Sequence, residues 1–127
     1  MKNRILLADD DESVRKMVAR VLESAGYSTV LASSSEEAIA EFREACPDLM
    51  LLDLKVPGEE GWRMLDQVYQ EGRQSPLVVM TVWPDQSEHA ARRGVEALLE
   101  KPLDLSMLIE TIGNLLGTRN RSHSAVQ

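Results

Sequence analysis

At 127 residues, with 43% hydrophobic and 28% charged side chains, the chain has the size and composition of one globular domain rather than of a disordered segment. Its formal net charge of -7 opposes binding to phosphate backbones, which needs clustered Lys and Arg, so no direct nucleic-acid contact is expected. Cys46 is the only cysteine, the N-terminus lacks a secretory signal, and no apolar run approaches the roughly 20 residues that span a bilayer; a cytoplasmic chain without a membrane partner is expected.

The first apolar run, Ile5-Leu6-Leu7-Ala8, reads as a strand and leads into Asp9 and Asp10. Val14, Met17, Val18, Val21, Leu22 and Ala25 then recur at spacings of three and four, one stripe of a helix that Gly26 can end. Residues 27 to 32 are rich in β-formers, after which Ser34 with Glu37 reads as a capping box opening a helix through Ile39 and Phe42. Pro47 separates that helix from a third strand, Leu49-Met50-Leu51-Leu52, which closes on Asp53. A third helix carries Met64, Leu65 and Val68 and stops at Gly72.

The fourth strand, Leu77-Val78-Val79-Met80, gives on to Thr81 and then to a loop over residues 82 to 87 that contains Trp83, Pro84 and Asp85. The next helical stretch, from about Glu88 to Arg93, is short because Gly94 follows. Ala97-Leu98-Leu99-Glu100 forms the last strand and runs into Lys101-Pro102; Asp104 then caps a helix whose inner stripe is Leu105, Leu108, Ile109, Ile112, Leu115 and Leu116. Gly117 is expected to end the domain, and 118–127, rich in Ser, Arg and Asn, reads as a disordered tail or the start of a linker.

Five continuously apolar strands alternating with five helices predict an α/β fold, a doubly wound parallel sheet covered on both faces, with polar residues gathered beyond the carboxyl ends of the strands. Asp9, Asp10 and Asp53 would meet there. At an effective dielectric of 20, each pair of like charges about 4 Å apart repels by roughly 4 kcal/mol, so cations must compensate. Oxygen ligands without His or Cys suit Mg²⁺, and Lys101 adds a second positive charge. Such a site can bind a phosphoryl group: Asp53 is the candidate nucleophile, with the Thr81 hydroxyl and the Lys101 ammonium placed for its oxygens.

Asp9-Asp10 after strand one, Asp53 with Pro57 and Gly61 downstream, Thr81 after strand four and Lys101-Pro102 after strand five together resemble the receiver domain of two-component response regulators, over residues 3 to 117. The resemblance implies a flavodoxin-like (CheY-like) three-layer sandwich with strand order 2-1-3-4-5. It also implies Asp53 as phosphoacceptor, Mg²⁺ on Asp10 directly, on Asp9 through water and on the Lys55 backbone carbonyl, and a cis Lys101-Pro102 bond. The implied partners are a histidine kinase or phosphotransfer protein and an output protein or domain. Any self-catalysed transfer serves signalling, so no enzyme with a diffusible substrate is expected, and the chain reads either as a complete regulator or as the first domain of a longer one.

The chain departs from the family pattern in three places. Leu98 stands where an aromatic switch residue is usual, Val82 and then Trp83 follow Thr81 where a small residue is usual, and the fourth helix looks short. Lys55 puts a long cation beside the site, and an altered aspartyl-phosphate lifetime is expected from it. His89 reads as a solvated surface residue, Cys46 as a small packed hydrophobe, and Trp62 and Trp83 as loop-edge residues partly packed on the domain. An exposed part of the last helix's stripe would allow a homodimer.

Three other functions compete. A receiver-like docking module that takes no phosphate would explain Leu98, Val82 and the short fourth helix, but not the intact acidic set. A phosphatase of the haloacid dehalogenase type would use Asp9-Asp10-Asp11, Thr81 and Lys101 but would lack an acidic pair after the lysine and leave Asp53 without a role. A flavodoxin-like FMN carrier shares the sheet order, yet its phosphate would meet an acidic first loop.

Overall fold

The computed structural model describes residues 2–71 and 74–125, with side-chain surroundings through residue 117. Ten elements alternate: β1 (Arg4–Ala8), α1 (Glu12–Ser24), β2 (Ser28–Ala32), α2 (Ser35–Ala45), β3 (Leu49–Leu54), α3 (Gly58–Glu71), β4 (Leu77–Thr81), α4 (Ser87–Arg93), β5 (Ala97–Glu100) and α5 (Leu105–Ala125). All strand pairings are parallel and the sheet order is β2-β1-β3-β4-β5. The expected flavodoxin-like sandwich is therefore the observed fold.

The strands are apolar throughout because both of their faces are buried. Alternation sorts their residues into two cores. Ile5, Leu7, Leu49, Leu51, Val78, Met80 and Leu99 pack with Val18 and Leu22 of α1 and Leu108, Ile112 and Leu116 of α5. Leu6, Ala8, Met50, Leu52, Leu54, Leu77 and Val79 pack on the other face with Ala38 of α2, Trp62, Leu65 and Val68 of α3, and Ala90 of α4. In the alternation, Asp9 follows Ile5 and Leu7, and Asp53 follows Leu49 and Leu51. Two adjacent strands, β1 and β3, thus deliver both carboxylates to the same end of the sheet.

Several helix boundaries follow from local chemistry. Asp11, not Asp9 or Asp10, caps α1, its carboxylate accepting the Ser13 and Val14 N–H groups at 2.9 and 3.2 Å. Gly26, at φ 97°, turns the chain after α1. The Ser34 hydroxyl accepts the Glu37 N–H at 3.1 Å, but Glu37 bonds Ser33 rather than completing the box. Asp104 caps α5 through the Met107 N–H at 3.1 Å. At Gly61 the first turns of α3 press on the preceding loop: an added Cβ would stand 1.5 Å from the Val56 carbonyl oxygen, so only glycine fits.

The structure corrects some expectations. Gly117 does not end α5, which is bounded by Leu105–Ala125, because it does not take the left-handed conformation that stops a helix and an interior glycine costs only about 1 kcal/mol. Gly72, expected to end α3, lies outside the described residues. Met17 and Met64 are exposed, the buried stripes being centred instead on Val18, Ala19 and Leu22 and on Trp62, Leu65 and Val68.

Cys46 does not pack as a hydrophobe; it is exposed at the left-handed C-cap of α2, φ 48°, outside that helix's inward stripe. Trp62 is not a loop-edge residue but fully buried in α3. His89 is half-buried rather than solvated, its ring stacked on Trp62 with centroids 6.3 Å apart and its Nδ1 3.3 Å from Glu59.

Candidate phosphoryl-transfer site

β3 extends one residue beyond Asp53, to the buried Leu54, so the carboxylate projects from the last turn of pleat rather than from the loop. Pairing of Leu54 with Thr81, and of Thr81 with Glu100, brings the ends of β4 and β5 beside it. The Lys101 N–H donates to the Thr81 carbonyl at 2.7 Å, which fixes where the lysine leaves the sheet, and the Lys101-Pro102 peptide is cis. The Lys101 ammonium then reaches back across the sheet to Asp9 Oδ2 at 2.8 Å and Asp53 Oδ1 at 3.0 Å.

Asp9 is the most rigidly held member. It is 1% exposed, its second oxygen accepts the Asp11 N–H at 2.9 Å, and its carbonyl accepts Arg15 Nη1 at 2.7 Å. Asp10 is exposed at the mouth, and one oxygen from each of Asp9, Asp10 and Asp53 lies within 4.8 Å of the others.

Burial pushes the Asp53 carboxyl above its ordinary pKa of 3.8; the Lys101 hydrogen bond pulls it back, while the charges of Asp9 and Asp10 push the same way as burial. Burial opposes the charge of Lys101, but its bonds to Asp9 and Asp53 more than offset this and raise it above 10.5. Three carboxylates around one ammonium leave an excess of negative charge, and their all-oxygen donor set suits a hard divalent cation. The residues present therefore fit Mg²⁺.

The second wall is the loop from Thr81 to Gln86. Thr81 is fully buried and its hydroxyl accepts the Trp83 N–H at 2.9 Å, leaving its own hydrogen to donate. Trp83, partly exposed as expected, sends its indole N–H to the Lys55 carbonyl at 3.2 Å. Gln86 is buried, its side-chain oxygen accepting both the Gly58 N–H at 3.1 Å and the Trp62 indole N–H at 2.9 Å while its amide donates to Pro84.

Lys55 borders the same cleft as Asp9, Asp10, Asp53 and Lys101, and its ammonium makes no ion pair among the described residues. Neither the role of Gln86 nor the Trp83 indole bond has a local signal in the chain, whereas Asp11, three residues before Val14, carries a legible N-cap signal.

A profile of the response regulator receiver domain matches residues 5–113. The chain belongs to this family. Receiver domains are signalling domains that bind Mg²⁺ through an aspartate cluster, which here corresponds to Asp9, Asp10 and Asp53. Among characterised receivers, the chain is 30% identical over 121 residues to the polar-differentiation response regulator DivK of Brucella ovis, covering 92% of this chain and 98% of that one. It is 30% identical over 108 residues to the regulatory protein AtoC of Escherichia coli, covering 84% of this chain but only 23% of AtoC.

A receiver domain from Methanospirillum hungatei superposes with a TM-score of 0.85 at 25% identity, over 96% of this chain and 99% of that one. Short α4, ended by the left-handed Gly94, is as the receiver comparison anticipated from sequence. Among the described residues, no helix is long and apolar enough to cross a membrane.

Proposed function

We propose that this receiver takes a phosphoryl group onto Asp53 from the phosphohistidine of a histidine kinase or phosphotransfer protein, and that the modified chain changes its affinity for an output protein or domain. The observation that carries the reading is the seating of Asp53 against Lys101 with two further carboxylates within reach. An Asp53 oxygen attacks phosphorus; the new P–O bond forms as the P–N bond to the donor imidazole breaks, and the departing imidazole takes up a proton. Lys101 neutralises the nucleophile's neighbourhood and then faces a phosphoryl oxygen, and the Thr81 hydroxyl donates to another.

Asp10, Asp53, the Lys55 carbonyl and, through water, Asp9 would hold Mg²⁺, whose charge supports the equatorial oxygens of the transferred group. The same reading makes 3–117 the receiver, located in the cytoplasm, with the remainder of α5 as its exit toward any further domain. Homodimerisation is compatible with it.

The experiment is intact mass after incubation with a small phosphodonor. One phosphoryl adduct that needs Mg²⁺ and is absent from Asp53→Asn is expected. Wild type without an adduct would instead support a docking module that takes no phosphate, and hydrolysis of a generic phosphate ester lost in Asp9→Asn but kept in Asp53→Asn would support a phosphatase.

A further inference from the structure

Trp83 joins the two walls of the site through two different hydrogen bonds. Its backbone N–H is committed to the Thr81 hydroxyl at 2.9 Å, and its indole N–H to the Lys55 carbonyl at 3.2 Å, twenty-eight residues away. Lys55 and Val82, the chain neighbour of Trp83, border the acidic cleft together with Asp9, Asp10 and Asp53. A carbonyl oxygen has two lone pairs, and a donor on one leaves the other for a metal. Partners that orient a metal's ligands from behind raise affinity because the ligand need not be ordered when the ion arrives.

We propose that Trp83 is a positioning residue for the divalent cation: its indole N–H fixes the Lys55 carbonyl toward the cleft, so that cation binding and the conformation of the Thr81–Gln86 loop are linked. This rests on the Lys55 carbonyl being a metal contact, as proposed above. The linkage runs both ways. A cation that draws on the carbonyl changes the bond the indole makes, and a loop that withdraws Trp83 releases a metal ligand. Trp83 therefore connects the metal with the loop leading into α4 without an aromatic residue at position 98.

The test uses the full chain, ¹⁵N-labelled, titrated with Mg²⁺ alone. Wild type, Trp83→Phe and Asp10→Asn are compared by calorimetry, and the two tryptophan indole signals are followed by NMR, the Trp83 signal being the one missing in Trp83→Phe. Trp83→Phe is expected to raise the Kd for Mg²⁺ by roughly three- to tenfold, less than the 10–100-fold typical of buried outer partners because this bond is exposed. Its melting midpoint in EDTA should stay at the wild-type value, which separates positioning from a general loss of stability. The Trp83 indole signal should move with the calorimetric midpoint while that of the buried Trp62 stays still.

Equal Kd values for wild type and Trp83→Phe, with Asp10→Asn still weakening binding, overturn the role of Trp83 and leave the metal site standing. Wild type that does not bind Mg²⁺ overturns both.

Discussion

The Lys101 ammonium lies 3.0 Å from the Asp53 carboxylate, although 48 residues and two strand connections separate them in the chain. This pairing offsets part of the desolvation and like-charge repulsion at Asp53. Lys101→Met keeps the aliphatic stem and removes the charge, so it should slow phosphoryl transfer, with some loss of stability because the buried Asp9 carboxylate loses its partner. Loss of charge-assisted bonds of about 1.5–3 kcal/mol implies a fall of roughly ten- to hundredfold in the rate of adduct formation. Time-resolved intact mass checks it; an unchanged rate would mean that Lys101 serves the fold alone.

The raised pKa of Asp53 fixes the sign of a stability effect. A carboxyl with a higher pKa folded than unfolded binds protons more readily in the folded state, so its ionisation opposes folding. In EDTA at neutral pH, Asp53→Asn is expected to raise the melting midpoint by a few degrees. The gain should shrink as pH falls through the folded pKa of Asp53, where wild type is itself neutral at that position. Lys101 acts oppositely: its raised pKa supports the fold below about 10.5 and is lost only above it. A melting series over pH, with saturating Mg²⁺ as a second arm, reads both; a lower midpoint for Asp53→Asn in EDTA would contradict this assignment.

Lys55 borders the cleft beside Asp53 and makes no ion pair among the described residues. A long side chain extending over the cleft from this position would narrow the approach of water to a phosphoryl group. Lys55→Ala should therefore speed decay of the aspartyl phosphate, by about threefold, without altering which residue is modified. Decay of the adduct after removal of the phosphodonor gives the rate, and an unchanged half-life would remove Lys55 from the timing of the signal.

Most of the fold was legible because its signals are local or periodic. Runs such as Leu49-Met50-Leu51-Leu52 announce buried parallel strands, and Asp104 and Gly94 mark helix ends by chemistry that acts within one turn. The acidic set was legible for a related reason: each carboxylate closes an apolar run, and parallel topology alone gathers such ends. What stayed hidden depends on distant segments meeting. Nothing near Gln86 in the chain indicates that it will satisfy Trp62 and Gly58, and nothing near Gly117 distinguishes a stop from a glycine carried within a helix. Cys46 is left exposed at the C-cap of α2 and His89 is covered by the Trp62 ring of α3, placements that the residues beside them in the chain do not reveal.

Gln86 offers the sharpest test of that hidden part. It is 7% exposed, and its side-chain oxygen is the shared acceptor for the indole of the fully buried Trp62 and for the first N–H of α3. Gln86→Ala would leave two donors unpaired in a site too enclosed for free hydration, each costing about 1–3 kcal/mol. Gln86→Glu keeps the acceptor but brings a charge into a buried place, and the cation over the Trp62 ring, Arg93 at 5.6 Å from its centroid, is already engaged with Glu59 and Asp66. Gln86→Ala should therefore lower the denaturation free energy by roughly 2–5 kcal/mol, and amide exchange should accelerate first at Gly58 and in α4, where the lost bonds anchored the chain. A urea melt with exchange mapping decides: a loss under about 0.5 kcal/mol would mean that water replaces Gln86 and that α4 is held to α3 by Arg93, Glu59 and Asp66 instead.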